Sequence, residues 1–330
     1  MTHSGDRHAD AEEALESINK RTGRNMPQAV ATGALLVVVI LASLLIRVDV
    51  FVVLIMVFMI LGLWELRVDF ATAGLHTPLL TLCLCSSASI LVTYYAPSHL
   101  LAMMLCIMAT VVLVCLSAST RINMGTRVSV AVARKLSSTD SHARVESSYN
   151  KADVDEGIHQ SRISNVGASL FTVLYIPLLA CFLVLPLTFG GHPIAHAFIS
   201  IFLPALSDIG GLFFGAWFGK HKLSPRISPK KSVEGLLGSM VFSTLGAFAI
   251  VATTYDSAQW ASSWWVPVVL GVMTGIVGTF GDLCASMLKR DIGIKDMGHL
   301  LRGHGGVLDR VDSILLSAPF ITLVLYLAGI

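Results

Sequence analysis

The sequence predicts an all-α, polytopic membrane protein with about nine transmembrane helices and a cytoplasmic N-terminus. Three observations predict it. Of 330 residues, 54% are hydrophobic and 13% charged, with a mean hydropathy of +0.74, well outside the composition of a soluble globular domain. Nine apolar segments approach or reach the length that crosses a hydrocarbon core about 30 Å thick, roughly 20 residues on a helix. With the N-terminus in the cytoplasm, alternation of nine spans places every one of the 23 Lys and Arg residues except Arg47 on the cytoplasmic side, as the positive-inside rule requires.

Residues 1–28 form a polar tail, acidic then basic from Asp10 to Arg24, with Glu16 and Lys20 at helical spacing. The tail reads as a solvated juxtamembrane segment. The first apolar run is long enough to stay in the bilayer, so no cleaved signal is expected. The N-terminal set, 29–118, holds spans 29–46, 48–64, 78–95 and 99–118, the first two separated only around Arg47–Asp49. A Ser-rich, mixed-charge stretch at 119–165 without apolar periodicity reads as a flexible cytoplasmic loop. The C-terminal domain, 166–330, holds spans 166–188, 193–215, 235–254, 264–285 and 311–329. Span 193–215 contains Pro204, Asp208 and Gly210–Gly211, and is expected to depart from a plain lipid-facing helix.

Smaller features fit this frame. The six cysteines lie in or at the ends of apolar segments without the spacing of a zinc site, and read as packing residues. His192 and His196 are four apart, but with no acidic companion they read as hydrogen-bonding groups of the bundle rather than a metal pair. Trp260, Trp264 and Trp265 read as an interfacial aromatic belt at the outer face.

Chemistry concentrates in two cytoplasmic loops, 216–234 and 286–310. In the second, Asp282 stands where a helix meets the membrane face, and Asp309 and Asp312 are three apart, sharing one side of a helix. A carboxylate at mid-membrane costs roughly 2.5–3.5 kcal/mol and less near the interface, unless a cation compensates it. Three of them at the two ends of one loop suggest a site for a hard metal ion. Between them stand Lys289, Arg290, Lys295, Arg302 and Arg310, which would neutralise phosphate, and Gly303, Gly305 and Gly306 around His304, which would let backbone N–H groups approach it. Topology and a glycine turn account equally for the cations and glycines, but topology does not call for the carboxylates. No G-x-x-x-x-G-K-[ST] phosphate loop is present. In the first loop Asp208 is an intramembrane acid, followed by Lys220, Lys222, Arg226, Lys230 and Lys231, with Pro225 and Pro229 stiffening the chain and Ser232 and Glu234 available to cap the next helix. Alone, that loop suits an anionic headgroup as well as a plain basic connection.

The run SMLKRDIGIKDMGHLLRGHGGVLDRVD, Ser286 to Asp312, resembles the C-terminal signature of the phosphatidate cytidylyltransferase (CDP-diacylglycerol synthase) family: Ser286, Lys289-Arg290, Lys295-Asp296, Gly298, His304-Gly305-Gly306, Asp309-Arg310 and Asp312. The stretch from Asp208 through Gly215, Phe218-Gly219-Lys220, Lys222-Leu223, Pro225, Ser228-Pro229, Lys231 and Glu234-Gly235 resembles the family's other polar loop. The two cover about a third of the chain. Ala285 stands where the family usually has glutamate, Arg302 where it has proline, Leu212 where it has tyrosine and Ala216 where it has a basic residue.

The resemblance implies transfer of a cytidylyl group: CTP and phosphatidate give CDP-diacylglycerol and pyrophosphate. It implies catalytic roles for Asp282, Lys289, Arg290, Asp309 and Arg310, and Mg²⁺ on Asp282 and Asp309 with Asp312 as a third group, leaving room for a second cation. Substrate contacts would come from Asp208, Lys220, Ser228, Lys230, Lys231, Ser286, Lys295, Asp296, His304, Gly305 and Gly306. The expected partners are CTP, phosphatidate, membrane lipids and a second copy of the chain, with no nucleic acid; the expected location is the plasma membrane, with the site facing the cytoplasm. Three other readings stay open on the sequence: a transporter of an anionic solute, a membrane transferase acting on another lipid phosphate, and a scaffold without activity. Of the second, the CDP-alcohol class is disfavoured by the absence of D-x-x-D-G-x-x-A-R.

Overall fold

Each apolar run forms a helix, and the computed structural model describes residues 26–119, 158–225, 227–256, 263–294, 297 and 306–330. In chain order the helices are α1 (Met26–Ile46), α2 (Val48–Thr72), α3 (Leu79–Tyr95), α4 (His99–Ser119), α5 (Ile158–Tyr175), α6 (Pro177–Val184), α7 (Pro193–Phe218), α8 (Val233–Thr254), α9 (Val266–Ile292) and α10 (Leu308–Ala328). Among the described residues seven helical segments are long and apolar enough to cross a membrane; the apolar stretches Gly33–Ile46 and Leu79–Tyr95 are shorter. The protein is a polytopic all-α membrane protein. The N-terminal tail with its Glu16–Lys20 pair, and residues 120–157 of the Ser-rich loop, lie outside the described residues.

Several boundaries move relative to the hydropathy reading, mostly because charged residues continue a helix that has met no breaker. Span 48–64 extends to Thr72, since the first glycine after Gly62 is Gly74, which carries a φ of 76° at the turn. This extension carries Glu65, Arg67 and Asp69, all buried, so they are interior groups and not loop charges. Helix α7 stays helical through Pro204 to Phe218, and α8 begins at Val233, so loop 216–234 contracts to 219–232. Helix α9 runs to Ile292 and closes on Gly293, whose φ of 82° lets its N–H reach the Lys289 and Arg290 carbonyls. Loop 286–310 therefore contracts to 293–307, and Ser286, Lys289 and Arg290 are helical. Span 166–188 is helical but broken, with Pro177 opening α6 and Pro186 inside the 3₁₀ turn Leu185–Thr188.

One departure from all-helical structure matters for the site. Strands β1 (Lys222–Ser224) and β2 (Ser228–Ser232) form an antiparallel hairpin, with Lys222 opposite Ser232 and Ser224 opposite Ser228. It leads directly into α8, where Ser232 Oγ accepts the Gly235 N–H at 3.1 Å as an N-cap.

Helices α7, α8, α9 and α10 pack as the C-terminal bundle, brought close by small residues. A Cβ on Gly210 would run into the Gly238 carbonyl, and one on Gly271 into the Thr244 backbone. Such close approach is how helices associate in lipid, where apolar burial between them supplies little. Hydroxyl groups then bridge the backbones: Ser239 Oγ donates to Ser207 O at 2.8 Å, and Ser243 Oγ to Gly271 O at 2.7 Å. The larger apolar core, including Phe51, Leu63, Leu66, Ile176 and Cys181, joins α2, α3, α4 and α6 to the start of α10 through Leu308 and Leu315. His196 bonds the Pro186 carbonyl at 2.8 Å and the Tyr255 hydroxyl at 3.0 Å, so it ties helices together as a bundle residue. The cysteines among the described residues are free, and Cys181 is buried in the core. Trp264 is exposed, whereas Trp260 lies outside the described residues.

Replacing Gly271 by valine forces α8 and α9 apart and is expected to cost about 1–3 kcal/mol by overpacking. Gly190, whose Cβ position meets open space, is the control: its alanine variant should stay within about 0.5 kcal/mol of the unaltered protein. Thermal unfolding in detergent reads both, and equal melting of the two variants would contradict the packing account.

Candidate functional site

Helices α7, α9 and α10 and the hairpin bring together Asp208, Lys231, Asp282, Lys289, Asp309 and Asp312. Lys231, at the end of β2, reaches α9: its Nζ lies 2.7 Å from Asp282 Oδ2 and donates to the Thr279 carbonyl at 2.9 Å. Lys289, two turns further along α9, places Nζ 2.7 Å from Asp309 Oδ1 on the first turn of α10. The other Asp309 oxygen accepts the Met297 N–H at 3.0 Å. Asp208 on α7 accepts from Ser313 Oγ at 2.8 Å, and the Ser313 N–H is held by Asp312 Oδ1 at 2.7 Å.

These groups form one electrostatic unit. Asp208 interacts with Asp282, Lys231 and Arg310, and Asp312 with Asp282, Asp208 and Lys289. Asp312 is buried, while the Asp282 side chain is 41% exposed and so is the open edge of the cluster. The two lysines compensate the carboxylates in the protein by itself. Because an ammonium is a point charge on a flexible stem, each lysine can reorient without its backbone moving.

Of the other residues the sequence singled out, Arg310 is half-buried beside Asp208, and Ser286 is half-buried on α9. Gly306 is buried against the Met297 carbonyl and Glu65, where a Cβ would collide. Ser228 starts β2 opposite Ser224. Lys220 and Arg290 are exposed, and the Lys220 N–H donates to Glu234 at 3.1 Å. Lys230 belongs to β2, but its side chain is outside the described residues, as are Lys295, Asp296, His304 and Gly305.

The donor chemistry suits a hard cation: carboxylate oxygens without thiolate or imidazole among them. Among the described residues no group of three or more His, Cys, Asp or Glu is gathered to hold a metal ion. Mg²⁺ does not need one, since it is commonly held by one or two carboxylates with waters and substrate phosphates completing its shell.

Two participants, Ser313 and Glu65, escape a reading of the loops alone, and Glu234 does more than the capping that reading suggests. Ser313 links Asp208 to the α10 backbone. Glu234 accepts from the His221 N–H and pairs with His221 Nδ1 at 2.7 Å, fixing the base of the hairpin instead of capping α8. Glu65, from α2, accepts the Leu308 N–H at 2.9 Å across 243 residues. The sequence signal for Glu65 is three charges directly after an apolar run with no glycine or proline before the helix has passed them.

A family model described as the Cytidylyltransferase family matches residues 27–328. The chain belongs to that family. It is 40% identical over 156 residues to a phosphatidate cytidylyltransferase of Mycobacterium leprae, covering 47% of this chain and 48% of that one. It is 44% identical over 119 residues to a protein of the same name from Synechocystis, 35% of this chain and 38% of that one. A third, from Staphylococcus saprophyticus, is 33% identical over 171 residues, 51% and 63% of the two chains. The matched regions thus span about half the length of these curated cytidylyltransferase relatives.

The Lys289–Asp309 contact is largely buried, with side-chain exposures of 15% and 9%. Lys289→Ala leaves a carboxylate without its counter-charge and is expected to lower stability by about 3–5 kcal/mol. The Lys289→Ala, Asp309→Asn double variant should recover part of that loss, giving a coupling of at least about 1 kcal/mol in a thermal-unfolding cycle with the two single variants. Additive single effects would contradict the pairing.

Proposed function

We propose that this chain is a phosphatidate cytidylyltransferase, joining CTP and phosphatidate to give CDP-diacylglycerol and pyrophosphate. The observation that carries the proposal is the pair of lysine–carboxylate contacts, Lys231–Asp282 and Lys289–Asp309, with Asp208 and Asp312 beside them at one end of a membrane bundle. That arrangement supports recognition of a polyphosphate by a divalent ion and cations together, at the depth where a lipid phosphate sits. Membership of the cytidylyltransferase family and likeness to proteins named phosphatidate cytidylyltransferase support the substrate pair.

A phosphatidate oxygen attacks the α-phosphorus of CTP, the bond from that phosphorus to the bridging oxygen breaks, and pyrophosphate leaves. The attacking phosphate is already an anion, so the protein's work is positioning and neutralisation of charge rather than proton removal. Asp282 and Asp309 would hold Mg²⁺ together with water and phosphate oxygens, with Asp312 behind them, and the ion when bound withdraws charge from the triphosphate. Lys231 and Lys289 exchange their carboxylates for phosphate oxygens as substrate arrives, and Arg310 adds a fixed cation. Lys220, Lys230 and Arg290 draw the anionic substrates toward the site. Ser228, Ser286, Lys295, Asp296, His304, Gly305 and Gly306 complete the substrate contacts.

The positive-inside distribution of Lys and Arg supports nine crossings, a cytoplasmic N-terminus and a site facing the cytoplasm, and likeness to bacterial proteins supports a plasma-membrane location. Membrane lipids surround the protein, and a second copy is its expected partner.

The test is purified protein in detergent with phosphatidate, CTP labelled at the α-phosphate, and Mg²⁺. Label should enter lipid, and Asp282→Asn should reduce the rate about 100-fold or more. Equal labelling by both proteins would remove Asp282 from the reaction. Chelation of divalent ions should abolish transfer, and readdition of Mg²⁺ should restore it. Consumption of no CTP under any divalent ion would overturn the enzymatic reading.

A further inference from the structure

We propose that Glu65 is a positioning residue for the transfer reaction, setting the start of α10 and through it the placement of Asp309 and Asp312. The inference rests on the reading of those aspartates given above. It goes beyond that reading because Glu65 lies in neither polar loop and in a different part of the chain.

An α-helix begins with backbone N–H groups that have no partner inside the helix, and a buried start needs an acceptor from elsewhere. Helix α10 begins with no side-chain cap from Val307, and Gly306 before it has no side chain to offer. The acceptor comes instead from α2. Glu65, 2% exposed, places Oε2 2.9 Å from the Leu308 N. A carboxylate there also meets the positive end of the helix dipole, an interaction that weakens little when water is excluded.

The contact is aimed at the site by what lies next to it. Gly306 fits between the Met297 carbonyl and Glu65 with no room for a Cβ. The same Met297 donates its N–H to Asp309 Oδ2. Asp309 is one residue beyond Leu308, and Asp312 lies one turn further. Glu65 therefore fixes both the axial position and the rotation of the turn that carries them. A slip of one residue at the helix start would rotate α10 by about 100°, turning Asp309 away from Lys289. The other face of this part of α10 is apolar, with Leu308, Val311 and Ile314 lining a cavity of about 70 Å³ against Met59 and Gly62 of α2. Apolar contact with a void beside it does not define rotation sharply, so the polar contacts do, and Glu65 is the one that holds the backbone at the helix start.

Two variants separate positioning from general packing. Glu65→Met keeps the length of the side chain and removes the acceptor; Glu65→Gln keeps an acceptor oxygen and removes the charge. Hydrogen exchange on the purified, full-length protein in detergent reads the start of α10 without reference to activity. Glu65→Met should raise exchange in the peptide covering 306–313 about fivefold or more, with peptides from α8 unchanged and Glu65→Gln between the two. In the transfer assay Glu65→Met should lower kcat about 30- to 100-fold while KM for CTP moves less than about threefold, and Glu65→Gln should recover most of kcat.

Unchanged exchange at 306–313 in Glu65→Met overturns the proposal whatever the activity. So does a loss of activity that Glu65→Gln does not relieve. If Glu65→Met does not give monodisperse protein, Glu65→Gln decides by the same measurement: faster exchange confined to 306–313 supports positioning, and a rate equal to that of the unaltered protein overturns it. An unaltered protein that leaves CTP intact would instead count against the cytidylyltransferase reading, and the exchange comparison would still judge Glu65.

Discussion

Carboxylates at the end of a membrane-spanning bundle require a compensating partner, and much of this structure follows from how that requirement is met. Asp282 and Asp309 each have a lysine 2.7 Å away. Neither lysine is a near neighbour in sequence of the carboxylate it serves: Lys231 comes from the hairpin before α8, and Lys289 from the far end of α9. The pairs therefore bind separate elements into one site. On the proposed function, each lysine would pass to a phosphate when a divalent ion takes its place on the carboxylate.

The helices beneath the hairpin approach more closely than ordinary side chains permit. Gly210 meets Gly238 and Gly271 meets Thr244, while Ser239 and Ser243 carry hydrogen bonds across the same contacts. In lipid this combination of small residues and hydroxyl bridges replaces the burial of large apolar groups as the source of helix association. The direction of α8 is set by the Ser232 cap and by Glu234 holding the strand before it, so the hairpin lies where Lys231 can reach Asp282. At α10 the analogous task falls to α2, whose polar end enters the protein interior and contacts Leu308.

Much of this is legible in the sequence. The apolar runs mark the helices, the spacing of Asp309 and Asp312 places both on the first turns of α10, and Ser232 reads as a cap. The signature from Ser286 to Asp312 points to the cytidylyltransferase family before any geometry. The rest depends on distance or register. Hydropathy ends the second span at residue 64 because Glu65, Arg67 and Asp69 lower the average, yet interior burial of these groups keeps the helix going. Strands of three and five residues rich in Lys, Ser and Pro carry no alternating pattern, so local patterning reads the hairpin as a loop. That Lys231 meets Asp282 follows from strand pairing, and the contact of Glu65 with Leu308 spans too much chain for any local pattern to announce it.

If the two lysine–carboxylate pairs are the phosphate and metal site, ligand must displace them. An experimental structure with a non-hydrolysable CTP analogue and Mg²⁺ tests this most directly. The triphosphate should lie between α9 and α10, with Lys231 and Lys289 turned from Asp282 and Asp309 to phosphate oxygens and the ion on the aspartates. An analogue bound elsewhere, with both lysine–carboxylate contacts intact at their present distances, would contradict it.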